Sequence, residues 1–150
     1  MIFVDTNIFY NTFFETELSP QARKVIESPS SFITSFIVID ELIFISTRKL
    51  AEREHGVKNF SEFRKLIAEK GYEPFKKDIE LIFGLIEDRD IIVVPDYQRI
   101  EDWREVMNRY KLLPNDALIA TTCRHYGVNK IATFDEDFKR VEFLEVVKVE

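Results

Sequence analysis

Met1-Ile2-Phe3-Val4-Asp5-Thr6-Asn7 opens the chain with a short apolar run that stops on a carboxylate. Ile2, Phe3 and Val4 favour strand, and an unbroken run of this kind suits a strand buried on both faces. Asp5 falls where that strand would end. In open parallel α/β sheets, ligand sites lie outside the carboxyl ends of the strands. An acid at this point is therefore placed for chemistry, and the reading turns on which other acids can join it.

Downstream, 6–18 reads as a polar-aromatic connection. Ser19-Pro20 predicts a helix start, with Ser as cap and Pro at the first helical position, running to Ser28. Phe32-Ile33-Thr34 predicts a second strand. Ser35 can cap the next helix, about 36–54, which His55-Gly56 ends. Residues 36–45 are apolar on every side except at Asp40 and Glu41, the pattern of a helix buried all round. Helices follow over about 60–70 and 74–87. Ile91-Ile92-Val93-Val94 reads as a third strand, and after Pro95-Asp96 a helix runs to about Tyr110. A helix over 116–126, which Asn115 can cap, is followed by a fourth strand at 130–133 and a fifth at 143–149. Strands alternating with helices predict an α/β fold whose parallel sheet is covered on both faces. No Pro- or Gly-rich linker divides the chain, so 1–150 reads as one domain.

Composition narrows the functional classes. The net charge of −6 argues against a protein that coats nucleic acid, yet does not exclude an enzyme that gathers acids around cations. The single cysteine, Cys123, excludes an internal disulfide. No basic leader and no apolar run approaching the ~20 residues of a membrane span is present. These features predict a soluble, cytoplasmic protein with no membrane role.

Four positions carry acids where the fold would use them. Asp5 and Asp135 end predicted strands on the same edge of a parallel sheet. Asp116 opens a helix, and Glu41 lies one to two turns into the helix after strand two. Each has a plainer role as well. Asp5 and Asp135 suit turns, Asp116 suits the helix dipole, and an acid on the apolar helix could pair with an Arg from elsewhere. Pattern alone does not choose between Asp40 and Glu41, whose neighbours one turn away are equally apolar. Taken together, carboxylates gathered at one edge would repel one another without cations between them, and an all-oxygen donor set suits Mg²⁺ or Mn²⁺. His55 and His125 lie near helix C-termini, away from that edge, which argues against zinc.

These residues resemble the PIN domain, and in particular the VapC-type ribonuclease toxins of toxin–antitoxin pairs. The resemblance rests on Val4-Asp5-Thr6-Asn7, on Asp40-Glu41-Leu42, on Asn115-Asp116-Ala117-Leu118-Ile119-Ala120 and on Thr133-Phe134-Asp135-Glu136-Asp137-Phe138, in that order along nearly the whole chain. It implies a three-layer α/β/α sandwich with a five-stranded parallel sheet of order 3-2-1-4-5. It selects Glu41 over Asp40 and implies that Asp5, Glu41, Asp116 and Asp135 are the catalytic, metal-holding acids. Thr6 matches the family's hydroxyl residue beside the site, and Asp137 matches a second acid of its motif. The stretch from about 57 to 86 is longer and more aromatic than minimal family members carry.

The resemblance further implies a Mg²⁺- or Mn²⁺-dependent endoribonuclease acting on single-stranded RNA, held by a cognate antitoxin and able to form a homodimer. Arg48, Lys49, Arg124, Lys139 and Arg140 are candidates to rim an acidic hole that must admit RNA. Alternatives are a free-standing RNA-processing nuclease and a weakly catalytic module whose acids clamp a basic partner. A phosphohydrolase with a D-x-D nucleophile is disfavoured, because Asn7 stands where its proton donor would be.

Overall fold

The computed structural model describes residues 1–148. Its elements are β1 (Ile2–Val4), α1 (Thr6–Phe13), α2 (Ser19–Glu27), β2 (Phe32–Ser35), α3 (Phe36–His55), α4 (Phe60–Lys70), α5 (Lys76–Asp88), β3 (Ile92–Val94), α6 (Ile100–Tyr110), α7 (Pro114–His125), β4 (Lys130–Ala132) and β5 (Glu145–Val146). Short 3₁₀ turns cover Glu73–Phe75 and Glu136–Arg140. All strand pairs are parallel, in the order β3-β2-β1-β4-β5. That is the order the sequence resemblance implies.

The centre of the sheet explains why a carboxylate at position 5 can be held so firmly. Phe3 and Val4 in β1 and every residue of β2 are buried. Successive strand residues point to opposite faces, so helices must cover both. Phe3, Val4, Phe9, Ile26, Val38, Leu42, Ile119 and Ile131 fill one core around the sheet. A second, smaller core of Leu50, Ala51, Val57, Phe63 and Phe75 lies between the C-terminal part of α3 and the α4 region. The aromatic stretch after residue 57 therefore packs on α3, the helix that carries Glu41. Gly56, at φ +65, closes α3 in the left-handed conformation that a side chain would resist.

Several local expectations are corrected. The connection after Asp5 is helix α1. Its cap is Asp5, whose side chain accepts from the Thr6 backbone N–H, while Ile8 and Phe9 face the core. Ser19 does not cap α2. It lies within the helix, accepting from the Thr16 backbone and donating to the Phe14 carbonyl. Helix α3 is not buried all round: Phe36 is 65 % exposed, and Asp40 and Phe44 also face solvent. Ser35 occupies its cap position but makes no capping bond. Asp96, from the loop after β3, accepts from the Ile37 N–H instead. Helix α7 starts at Pro114 with Leu113 at its cap, so Asn115 is a helical residue and Asp116 the third. Helix α5 starts at Lys76, since Pro74 sits in the 3₁₀ turn. Strand β3 lies at the edge with Ile92 and Val93 exposed, so the sheet is not covered there. Strand β5 is two residues long, and Val149, at the expected end of that strand, lies outside the described residues.

Candidate active site

The carboxyl edge of the central strands is where the acids meet. Asp5 leaves β1 and Asp135 follows β4, its parallel neighbour. Glu41 sits in α3, which starts directly from β2, and Asp116 is the third residue of α7. All four, with Thr6, Asn7, Tyr10 and Ile45, line one pocket of about 170 Å³. Glu41, Asp116 and Asp135 also border the hollow beside it, together with Leu113, Pro114 and Asn115.

The side chains are held by donors supplied from the ends of neighbouring strands. Asp5 Oδ1 accepts from the Thr6 N–H at 2.7 Å, and Oδ2 from the Thr133 hydroxyl at 2.7 Å and the Asn7 amide at 3.4 Å. Thr133 in turn accepts from the Asp135 N–H and from Asn7, whose own Oδ1 accepts from the Phe134 N–H. This lattice ties the end of β1 to the end of β4. Glu41 Oε2 accepts from the Thr6 hydroxyl at 3.1 Å. Asp135 Oδ1 accepts from the Asp137 N–H at 2.9 Å, an arrangement that starts the following 3₁₀ turn. Asp116 stands apart from this lattice, its strongest electrostatic neighbour being the Asp135 carboxyl.

The charges are uncomfortable as they stand. Burial pushes the Asp5 carboxyl up to about 6, despite the opposing bonds from Thr133 and Thr6, and Glu41 and Asp135 add like-charge repulsion. Asp116 is pushed up to about 7, by burial first and then by the charges of Asp135 and Asp5. Carboxyl oxygens of Asp116, Asp135 and Asp137 can all be drawn from within 4.8 Å of one another. Asp137 is shared with a structural role, because its Oδ1 receives the Arg140 guanidinium at 2.7 Å. An oxygen-only donor set this crowded, in which burial and like charge disfavour the ionised forms of Asp5 and Asp116, is what a hard divalent cation would relieve.

The candidate rim cations separate into two groups. Arg124 pairs with Glu105 and Lys139 with Glu136. Arg140 pairs with Asp137 and also donates to the carbonyls of Tyr110 and Lys111, where it closes α6. Arg48 lies over the rings of Phe44, Phe60 and Phe63, and it lines a hollow next to the acids together with Lys49.

Three residues at or behind the site escape a reading of the sequence. Thr133 and Asn7 orient Asp5, and Asp96 caps the helix that carries Glu41. Thr133 and Asn7 stand inside the quoted motifs, but nothing local marks a threonine as the partner of an acid 128 residues away. Asp96 gave no signal beyond a turn.

The PIN domain family model matches residues 2–144 of the chain. Ribonuclease VapC2 from Methanocaldococcus jannaschii is 33 % identical over 150 residues, spanning 99 % of this chain and 93 % of the relative. Among solved structures, the sarcin–ricin loop cleaving toxin VapC20 from Mycobacterium tuberculosis superposes with a TM-score of 0.62 at 16 % identity, covering 99 % of this chain and 100 % of that one. A chain of a toxin–antitoxin complex from Klebsiella pneumoniae gives a TM-score of 0.60 at 18 % identity, covering 99 % and 97 %. At these identities the two structures speak for the fold.

Proposed function

The chain belongs to the PIN-domain family, and from that premise we propose that it is an endoribonuclease, the toxin of a toxin–antitoxin pair, dependent on Mg²⁺ or Mn²⁺ and acting on single-stranded RNA. The activity follows the ribonuclease relative that matches the chain nearly end to end. The observation that carries the site assignment is the convergence of Asp5, Glu41, Asp116 and Asp135 on one pocket, with two of them driven toward the neutral form by burial and by one another.

In this reading Asp5, Glu41, Asp116 and Asp135 would hold the cation, with Asp137 as a neighbouring acid. A bound divalent ion lowers the pKa of a ligated water and offsets charge on the phosphate oxygens. The chain's own contribution is position. Thr133, Asn7 and the Thr6 N–H fix the Asp5 carboxylate in one orientation before substrate arrives, and the Thr6 hydroxyl does the same for Glu41. Such preorganisation spares the reorganisation that free carboxylates would need. The reaction is a hydrolysis: the water oxygen bonds to phosphorus, the bond from phosphorus to the 3′ oxygen breaks, and that oxygen takes a proton. The products are a 3′-hydroxyl and a 5′-phosphate, and the ribose 2′-hydroxyl takes no part.

A cognate antitoxin is the proposed partner, by likeness to the toxin–antitoxin complex above. A homodimer is proposed through the face around Trp103, where Ile100 and Leu113 are 71 % and 67 % exposed. Among the described residues no helix is long and apolar enough to cross a membrane. The test of function is direct. Purified protein with Mg²⁺ or Mn²⁺ should cut a single-stranded RNA to 5′-phosphorylated fragments, and EDTA should stop it. Cleavage that persists in EDTA, or products with a 2′,3′-cyclic phosphate, would refute the mechanism.

A further inference from the structure

We propose that the hollow formed by α1, α3 and the start of the α4 region is the track along which single-stranded RNA enters the acid pocket. This rests on the nuclease reading above and names the surface that would deliver its substrate. Tyr10, Phe44, Arg48, Lys49, Glu52 and Lys58 line a hollow of about 300 Å³. It is continuous with the acid pocket, because Tyr10 and Ile45 line both.

Its chemistry is opposite to that of the pocket it joins. Three cations face one carboxylate, in a protein whose net charge is −6. None of the three cations is in an ion pair among the described residues. Arg124, Lys139 and Arg140, elsewhere on the surface, all have carboxylate partners. Unneutralised cations beside an acidic hole are the arrangement needed to bring a polyanion to it. Arg48 is held over Phe44, Phe60 and Phe63, with its guanidinium carbon 5.6–5.9 Å from the ring centroids, so its charge is fixed in place.

The aromatic content argues for a single strand over a duplex. Phe44 is 46 % exposed and Phe60 52 % exposed, although both belong to the aromatic group around Arg48. Exposed rings beside lysines suit unstacked bases, whose faces a duplex would hide. The α4 region, the stretch that departs from a minimal family member, thereby gains a purpose. Val57 and Phe63 anchor it on the end of α3, and that anchoring presents Lys58 and Phe60 beside Phe44 and Arg48.

The experiment is a binding titration of a fluorescein-labelled 12-nucleotide RNA in EDTA, so that affinity is read whether or not the protein cuts. Lys49→Glu and Lys58→Glu should each weaken binding at least ~10-fold at low salt. Each should also lower the salt slope by about 1, as expected when a phosphate contact is lost. Lys130→Glu, on the opposite edge of the sheet, should stay within about two-fold of the parent in the same assay. A duplex of the same sequence should bind more weakly than the single strand. Melting curves of each variant check folding, and Lys49→Gln, which adds no like charge beside Glu52, should show a smaller loss in the same direction. The proposal is overturned if the Lys49 and Lys58 variants bind as Lys130→Glu does. It is equally overturned if they lose affinity for a poly-glutamate peptide while keeping it for RNA, which would make the hollow a protein-docking surface. Neither result bears on metal-dependent cleavage, which the EDTA test above decides separately.

Discussion

Asp116→Asn is expected to lower the rate of RNA cleavage by about 1,000-fold while leaving the fold intact. Removing a residue that merely supports a metal ligand costs about 10–100-fold in other enzymes, so losing a ligand should cost more. Asp116 is the cleanest of the four acids to test. Asp5 also caps α1 and anchors the bonds from Thr133 and Asn7, so its replacement would disturb the ends of β1 and β4. Asp116 takes no part in that lattice, and an asparagine in its place keeps a polar side chain beside Asp135. Single-turnover cleavage of a labelled RNA reads the loss. A variant that cuts within about three-fold of the parent would remove Asp116 from the site.

The same cluster should make the metal-free protein less stable as the pH rises. Asp5 and Asp116 titrate at about 6 and about 7 in the folded chain, both above the ordinary value of 3.8. Between these values and 3.8 the folded chain binds more protons than the unfolded one, so stability falls with increasing pH. The loss begins near pH 4 and levels off above about pH 7. In EDTA, the melting temperature should therefore drop by several degrees from pH 5 to pH 8, while Asp116→Asn should drop less and exceed the parent at pH 8 by ~5 °C. Mn²⁺ should reverse the parent's loss. Because the ion competes with protons for the same oxygens, it should raise the melting temperature more at pH 8 than at pH 5. A melting temperature that is flat across this range, with no response to Mn²⁺, would mean the acids are not coupled as the structure has them.

How far the sequence reveals this site depends on which forces leave local marks. Asp5 and Asp135 were legible because a strand must end where its apolar run ends, and a parallel sheet puts those ends on one edge. By its apolar pattern Glu41 was legible only as one of two acids on a helix, and it took the family resemblance to select it over Asp40. The structure separates them through neighbours: Asp40 faces solvent, and Glu41 meets the Thr6 hydroxyl. Helix α1 was hidden because Thr6 and Asn7 are poor helix formers and its cap is the same Asp5 that ends β1. Thr133 and Asp96 act across 128 and 59 residues respectively, which no periodicity records. The exposure of Ile92 and Val93 was hidden for a related reason. An apolar strand reads the same whether it lies in the middle of a sheet or at its edge.

The central claim is that these carboxylates share a divalent cation, and anomalous diffraction from crystals soaked in Mn²⁺ tests it most directly. A peak should stand among Asp5, Asp116 and Asp135, with carboxylate oxygens about 2.0–2.3 Å away, the range between Mg²⁺-like and Ca²⁺-like ligation. A peak only at some other carboxylate pair, or no peak at a Mn²⁺ concentration that supports full cleavage, would contradict it.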